Sequence, residues 1–173
     1  MLKVSRNRTD TLPVTLDDVK LFMKVDGDAD DTLIAELIDE AADLIERYTA
    51  TALVATTVTV EASARTYLEP PVKPVVSITS VKDRDGNDVD YEWDGFYILF
   101  DGGTFSPTAP EAPILTTTIT VYEAGYTETP KGLVLALKEV ISYLYENRND
   151  TAAIMMLLSQ NANLMPYRQK SWF

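Results

Sequence analysis

The sequence contains no cysteine and no histidine among its 173 residues. Without cysteine the chain has no disulfide, no thiolate zinc ligand and no thiol nucleophile. Without histidine it lacks the side chain that most often transfers protons near neutral pH, and with it every triad that needs imidazole. An enzyme of this composition would depend on carboxylates, lysine, tyrosine or serine, which disfavours most enzyme classes.

Long apolar runs are absent as well. No stretch approaches the ~18 apolar residues that cross a membrane. The first eight residues are basic, but no apolar segment follows them, so they do not resemble a secretory signal. We therefore expect no membrane association and a chain that stays in the cytoplasm where it is made. Hydrophobic residues make up 46% of the sequence, enough for the core of one domain of this length.

Positive charge is scarce, with 15 Lys and Arg against 27 Asp and Glu, a formal net charge of −12. Residues 15–50 and 51–128 are strongly acidic, whereas residues 1–14 and 129–173 are mildly basic. An acidic body repels phosphates, so adhesive binding of nucleic acid is not expected. The simplest interpretation is that the charge keeps the surface soluble. The alternative is a surface past which DNA slides without being held.

Helical patterns occur towards both ends of the chain. Thr15 and Asp18 have the spacing of a capping box, which predicts a helix from there to about Lys24. A second helix is predicted from about Asp31 to Tyr48, with an apolar face opposite an acidic one. That acidic face consists of Glu36, Asp39, Glu40, Asp43 and Glu46. A third helix is predicted to end near Arg148. Thr129 is its candidate cap, and Pro130 suits its first turn. A Met-rich apolar helix or docking segment is predicted from Thr151 onward.

Alternating apolar and polar residues between these helices predict strands. They are residues 57–61, 75–81, 89–93, 96–100 and 115–122, with a hairpin turn at Asp85-Gly86 and a long proline-containing loop at 104–113. The α–β–α order predicts an α+β fold, a helical core of two N-terminal helices and a C-terminal helix with an antiparallel β-rich insertion. Within one domain of residues 1–173 we expect a flexible arm (1–12), a helical segment (13–50), the β-rich insertion (51–128), a second helical segment (129–160) and a C-terminal docking tail (161–173).

Three patterns in the sequence partly resemble chemical sites. Residues 26–31 have acidic side chains at the first, third and fifth positions of a calcium loop. The sixth position is Asp31 instead of glycine and the twelfth is Leu37 instead of glutamate, so an acidic loop before a helix is the better interpretation. Five carboxylates lie on or near predicted strands, but nothing marks two as a facing catalytic pair. They are Glu61, Glu69, Asp94, Glu111 and Glu123. Gly102-Gly103 precedes no helix and is read as a turn, not a phosphate loop.

The end of the chain has the composition of an interaction site. Aromatic residues and arginine are enriched where binding energy concentrates, and they lie here at Tyr167, Arg168, Trp172 and Phe173, together with Lys170. Their apolar rings either fold back on the protein's own core or bind a partner. The basic residues Lys3, Arg6 and Arg8 could in turn contact DNA or a neighbouring subunit.

Several short motifs, in order, resemble the head–tail connector family of tailed phages. They are Pro13-Val14-Thr15-Leu16, Glu46-Arg47-Tyr48-Thr49, Pro70-Pro71, Tyr122-Glu123-Ala124-Gly125-Tyr126, Tyr145-Glu146-Asn147-Arg148 and Pro166-Tyr167-Arg168. The chain departs from the pattern in its Thr-rich β region, its long 104–113 loop and its Met-rich segment.

The resemblance implies a structural virion protein of the phage or prophage neck, without catalytic, cofactor-binding or metal-binding residues. It implies a ring, usually dodecameric on the portal protein, that extends the DNA channel, joins head to tail and supports the next neck or tail-completion protein. DNA would pass through without specific binding. It also favours a docking role for the tail, with Arg168 and Lys170 facing acidic surface on the portal or a neighbour. The alternatives are a tail-completion or terminator subunit and, less well supported, a carboxylate-based hydrolase.

Overall fold

The structure is a computed structural model that describes residues 2–63, 67–100, 117–147 and 151–169. Its helices are α1 (Leu16–Met23), α2 (Asp31–Thr49), α3 (Lys131–Glu146) and α4 (Thr151–Gln160), followed by a 3-10 turn at Met165–Tyr167. Its strands are β1 (Leu2–Arg8), β2 (Thr56–Ala62), β3 (Tyr67–Leu68), β4 (Val75–Asp83), β5 (Tyr91–Trp93), β6 (Ile98–Phe100) and β7 (Thr118–Ala124). The predicted α+β fold, with an antiparallel β region between helical segments, is confirmed.

The chain divides into two compact units. The β unit comprises Met1–Thr9 and Ala55–Gly125, and the helical unit comprises Asp10–Val54 and Tyr126–Phe173. The β unit thus contains most of the segment expected as an insertion, and it also includes the first nine residues. Residues 2–8 form strand β1, paired along its whole length with β2, rather than the predicted flexible arm. The strand is stable because β2 supplies the backbone partners that a free arm would lack.

The core of the helical unit lies along the apolar stripes of α2 and α3. Helix α1 starts with the expected capping box, in which the Thr15 hydroxyl accepts from the Asp18 N–H and the Asp18 carboxylate accepts from the Thr15 N–H. The Thr15 hydroxyl also donates to the Asp18 carboxylate, and this bond, together with the one from the Thr15 N–H, holds the pKa of Asp18 below its usual value. The buried stripes consist of Ile34, Leu37, Ile38, Ala41, Ala42 and Ile45 on α2, and Leu133, Ala136, Leu137, Val140, Ile141 and Leu144 on α3.

Two helix-end predictions are corrected. The N-cap of α3 is Pro130, not Thr129. Thr129 therefore lies one residue outside the cap, and its hydroxyl donates instead to the Leu53 carbonyl at 2.7 Å. Glu46 is not on the solvent face of α2, because the chain reverses at Ala50 in a left-handed conformation and brings residues 51–54 back beside the last turn. The buried Glu46 carboxylate accepts from the Leu53 N–H at 2.9 Å.

The main sheet of the β unit is antiparallel, with strand order β1-β2-β7-β4. Alternate side chains of β2 and β7 are buried, as the period of two predicts. The largest is Tyr122, fully buried, whose hydroxyl accepts from the Val72 N–H and donates to the Val72 carbonyl. Burial raises the pKa of this phenol well above its usual range. Tyr122 thus fastens the proline-containing segment before β4 to the sheet.

The second sheet has the order β3-β6-β5, and its strands are shorter than expected. The turn at Asp85-Gly86 is present, with Gly86 at φ +89°. The Asp83 carboxylate accepts from Asn87 and from the Asp85 N–H, and these bonds lower its pKa. After the turn, the Lys82–Asp88 bridge and the bond from the Val89 N–H to the Val81 carbonyl join the chain to β4, and β5 starts at Tyr91. The predicted loop at 104–113 lies outside the described residues.

Candidate functional site

The acidic loop before α2 is occupied by structural contacts. Asp30 is the N-cap residue of α2 but makes no side-chain cap bond; its carboxylate accepts from the Tyr145 hydroxyl at 2.6 Å. Asp31 pairs with Lys20, which raises the pKa of that lysine. Over residues 2–63, 67–100, 117–147 and 151–169, no group of three or more acidic side chains is arranged to hold a metal ion. The calcium-loop pattern therefore contributes to helix packing.

Four of the five scattered carboxylates make structural contacts within the described part of the chain. Glu61 pairs with Lys3, Glu69 with Lys73, and Glu123 accepts from the Thr57 hydroxyl. Asp94 accepts from the N–H groups of Tyr97 and Phe96, which lowers its pKa. A general acid needs a raised pKa, so this environment is the opposite of the one required. The fifth candidate, Glu111, lies outside the described residues.

Tyr167 and Arg168 contact the helical unit of their own chain. The Tyr167 ring is half-buried and lies edge-on to Tyr126, with centroids 6.5 Å apart. Burial, and then the proximity of Tyr167, raises the pKa of Tyr126. A side chain on Gly132, in the first turn of α3, would meet the same ring at 3.8 Å. Tyr167 is thus seated against the start of α3.

Backbone contacts fasten the same segment to the end of α2. The Thr51 hydroxyl donates to the Tyr167 carbonyl at 3.4 Å, and the Gln169 N–H donates to the Thr49 carbonyl at 3.2 Å. The Arg168 guanidinium lies over the Tyr48 ring, 5.1 Å from its centroid. Lys170, Trp172 and Phe173 lie outside the described residues. Of the predicted docking residues, Tyr167 and Arg168 are therefore anchored on the helical unit. No local sequence signal indicates their attachment to Thr49 and Thr51.

Each unit also exposes apolar side chains. On the helical unit Leu21, Phe22, Leu135, Met155, Met156 and Met165 are more than 40% exposed. On the β unit the exposed set is Leu2, Val4, Val76, Tyr91 and Phe96. The acidic face of α2 is exposed at Glu36, Asp39, Glu40 and Asp43. Such apolar and charged surface is suited to contacts with other proteins, and no described helix is long and apolar enough to cross a membrane.

A family model described as "Head completion protein" (HCP) matches residues 13–157. The chain belongs to the head completion protein family. No curated protein matches the sequence. The match covers both helical segments and the β-rich region of this head completion protein, so the resemblance predicted from the short motifs is confirmed.

Three solved structures have a similar fold. The neck of an empty gene transfer agent (GTA) particle, computed with C6 symmetry, contains a chain with a TM-score of 0.68 and 19% identity. The neck of the native particle, computed with C12 symmetry, gives 0.64 and 21%, and the virion of the native particle gives 0.65 and 19%. In all three comparisons 97–98% of this head completion protein and 97% of the other chain are covered.

Proposed function

We propose that this protein is a structural subunit of the virion neck, forming a ring on the portal that extends the DNA channel and joins head to tail. The observation that carries the proposal is the family match over residues 13–157, supported by the likeness of nearly the whole chain to neck proteins of a particle solved with C6 and C12 symmetry. Assembly takes place in the host cytoplasm, and the protein catalyses no reaction. The carboxylates bound in ion pairs and turns support this non-enzymatic role.

The net charge of −12 supports passage of DNA without retention. Lysine and arginine contacts to phosphates are what make a protein hold DNA, and an acidic lumen disfavours them. The exposed acidic residues of α2 are the candidates for that lining, with the ring held together by apolar contacts between subunits. A tail-terminator role is the second candidate function, and its partner would be the tail tube.

Electron microscopy of the protein mixed with portal protein purified from the same particle tests the proposal. We expect a ring stacked on one face of the portal, with the same cyclic symmetry as the portal. The matched control mixes the protein with purified tail tube. Binding to the tube with no density on the portal would establish the terminator role, and absence of any ring on either would contradict both.

The tail provides a separate prediction. Trp172→Ala combined with Phe173→Ala is expected to weaken binding to the portal by about thirtyfold or more, because one buried aromatic anchor at an interface typically contributes ~2 kcal/mol or more. Thermal stability should not change. By contrast, Tyr167→Ala should lower thermal stability in addition to affinity, since Tyr167 packs on Tyr126 and Gly132. Affinity is measured by surface plasmon resonance on immobilised portal. Unchanged affinity of the double variant would remove the tail from the interface.

A further inference from the structure

Strand β1 is an open sheet edge that is protected by basic side chains but not by a bulge or a proline. It pairs with β2 through seven consecutive residues without a bulge and without proline, and it has no strand on its other side among the described residues. Regular edges of this kind are ready to pair with another strand. By contrast, the opposite edge, β4, has two register shifts and is partly paired with residues 88–89. The main sheet therefore has one edge suited to pairing.

The apolar face of the sheet is also left incomplete at β1. Leu2 and Val4 are in register with Ala62 and Val60, which are fully buried. Leu2 and Val4 themselves are 40% and 39% exposed. The buried face of β2 thus continues onto β1 without a cover. A partner lying along this edge would remove both side chains from water.

Charge indicates what that partner carries. Strand β1 contains Lys3, Arg6 and Arg8 and no acidic residue, in a protein of net charge −12. Two copies of β1 placed side by side would oppose like charges, which disfavours a symmetric pair of β1 strands. Its basic residues favour an acidic partner, and an interface between two different surfaces is the type that closes into rings.

The same β unit carries such a surface at the edge of its second sheet. Strand β5 is paired with β6 on one side only, among the described residues. It lies within residues 83–94, which contain six acidic residues and one basic residue. Asp90 and Glu92 are exposed, and Tyr91 and Phe96 are 41% and 70% exposed. This edge therefore combines negative charge with exposed aromatic rings, complementary to the charge and the apolar residues of β1.

We propose that adjacent copies in the ring join through these edges, with β1 of one copy lying along β5 of the next. The contact covers Leu2 and Val4 with Tyr91 and Phe96 on one face, and on the other face it sets Lys3 against Asp90 and Glu92. This inference rests on the proposed ring, and it names the surfaces that build it. Because each copy presents both edges, the same contact repeats around a closed ring.

The absence of cysteine allows a direct test by disulfide trapping. Facing residues of adjacent strands have the Cα separation that a disulfide needs, about 5 Å. In rings assembled on purified portal, Ser5→Cys combined with Asp90→Cys or Glu92→Cys should give a ladder of linked oligomers on a non-reducing gel. Each single cysteine variant should give none. Ser5→Cys combined with Glu40→Cys on α2 is the matched control and should not link. Dimers from Ser5→Cys alone would show a symmetric β1 contact and overturn the proposal.

Charge reversal gives an independent readout. Lys3→Glu alone, and Asp90→Lys with Glu92→Lys, should each lower the yield of rings about tenfold, because like charges across an interface repel. All three changes in one chain should restore rings to about the wild-type yield, since every contact is then reversed together. Reversal variants that assemble like wild type would contradict the proposal. Wild-type protein that forms no ring on the portal would contradict the proposed function instead, so the two failures are distinguishable.

Discussion

Leu137→Ala is expected to lower the free energy of unfolding by about 3–4 kcal/mol, the typical cost of emptying a fully buried leucine site. Leu137 has no exposed surface and lies at the centre of the buried stripe of α3, packed with the residues of α2 in the core of the helical unit. Its removal withdraws apolar contacts and leaves a cavity that two helices can only partly close. Urea unfolding followed by far-UV circular dichroism measures the change.

Leu135→Ala is the matched control on the same helix. Leu135 is 41% exposed, so its truncation should cost less than about 1 kcal/mol. Equal effects of the two variants would contradict the position of α3 in the core. A large effect for Leu135 alone would mean that the exposed residue is covered in solution, as by another copy of the chain.

Tyr122→Phe is expected to cost about 2–3 kcal/mol, although only one oxygen atom is removed. Its hydroxyl is bonded to both the N–H and the carbonyl of Val72, which is itself fully buried. The phenylalanine ring fills the same space but leaves both backbone groups without a partner, and each such loss costs ~1–3 kcal/mol. Tyr91→Phe, at an exposed position of the same unit, should change the free energy of unfolding by less than about 0.5 kcal/mol.

The pH dependence of stability provides a second readout for Tyr122. Burial raises the pKa of its phenol in the folded state, whereas an unfolded tyrosine has a pKa of ~10. Above that pH the unfolded chain binds fewer protons than the folded one, so stability should fall as the pH rises from about 10. Tyr122→Phe should flatten this slope. Some slope should remain, because burial also raises the pKa of Tyr126. If the variant lost stability with pH as steeply as the wild type, a group other than Tyr122 would be responsible for the pH dependence.

The helices illustrate what could be predicted locally. The capping box at Thr15, the apolar stripes of α2 and α3 and the turn at Asp85-Gly86 depend on residues at most a few positions apart. Their spacing is visible in the sequence, and the structure has them close to where they were expected. The family could be predicted from the sequence for the same reason, since each of its motifs is a short contiguous segment.

The candidate site was only partly predictable. Composition marked Tyr167 and Arg168 as an interaction site, but their contacts are made with residues more than a hundred positions away, at Thr51 and Tyr48. No periodic pattern reports such a pairing. Leu2 and Val4 alternate with polar residues, which is a weak signal for strand β1. This alternation is too short to separate a strand from a flexible arm unless the pairing with β2 is known.

The sequence alone determined the α+β class, most helix and strand positions, the acidic character of the surface and membership of the head completion family, because these follow from local spacing and composition. Only the tertiary structure decided that residues 2–8 complete a sheet, that Glu46 is buried and that Tyr167 is anchored. Each of these depends on a backbone or side-chain partner that the fold brings close from elsewhere in the chain. Such a contact stabilises the protein only after both partners have been brought together.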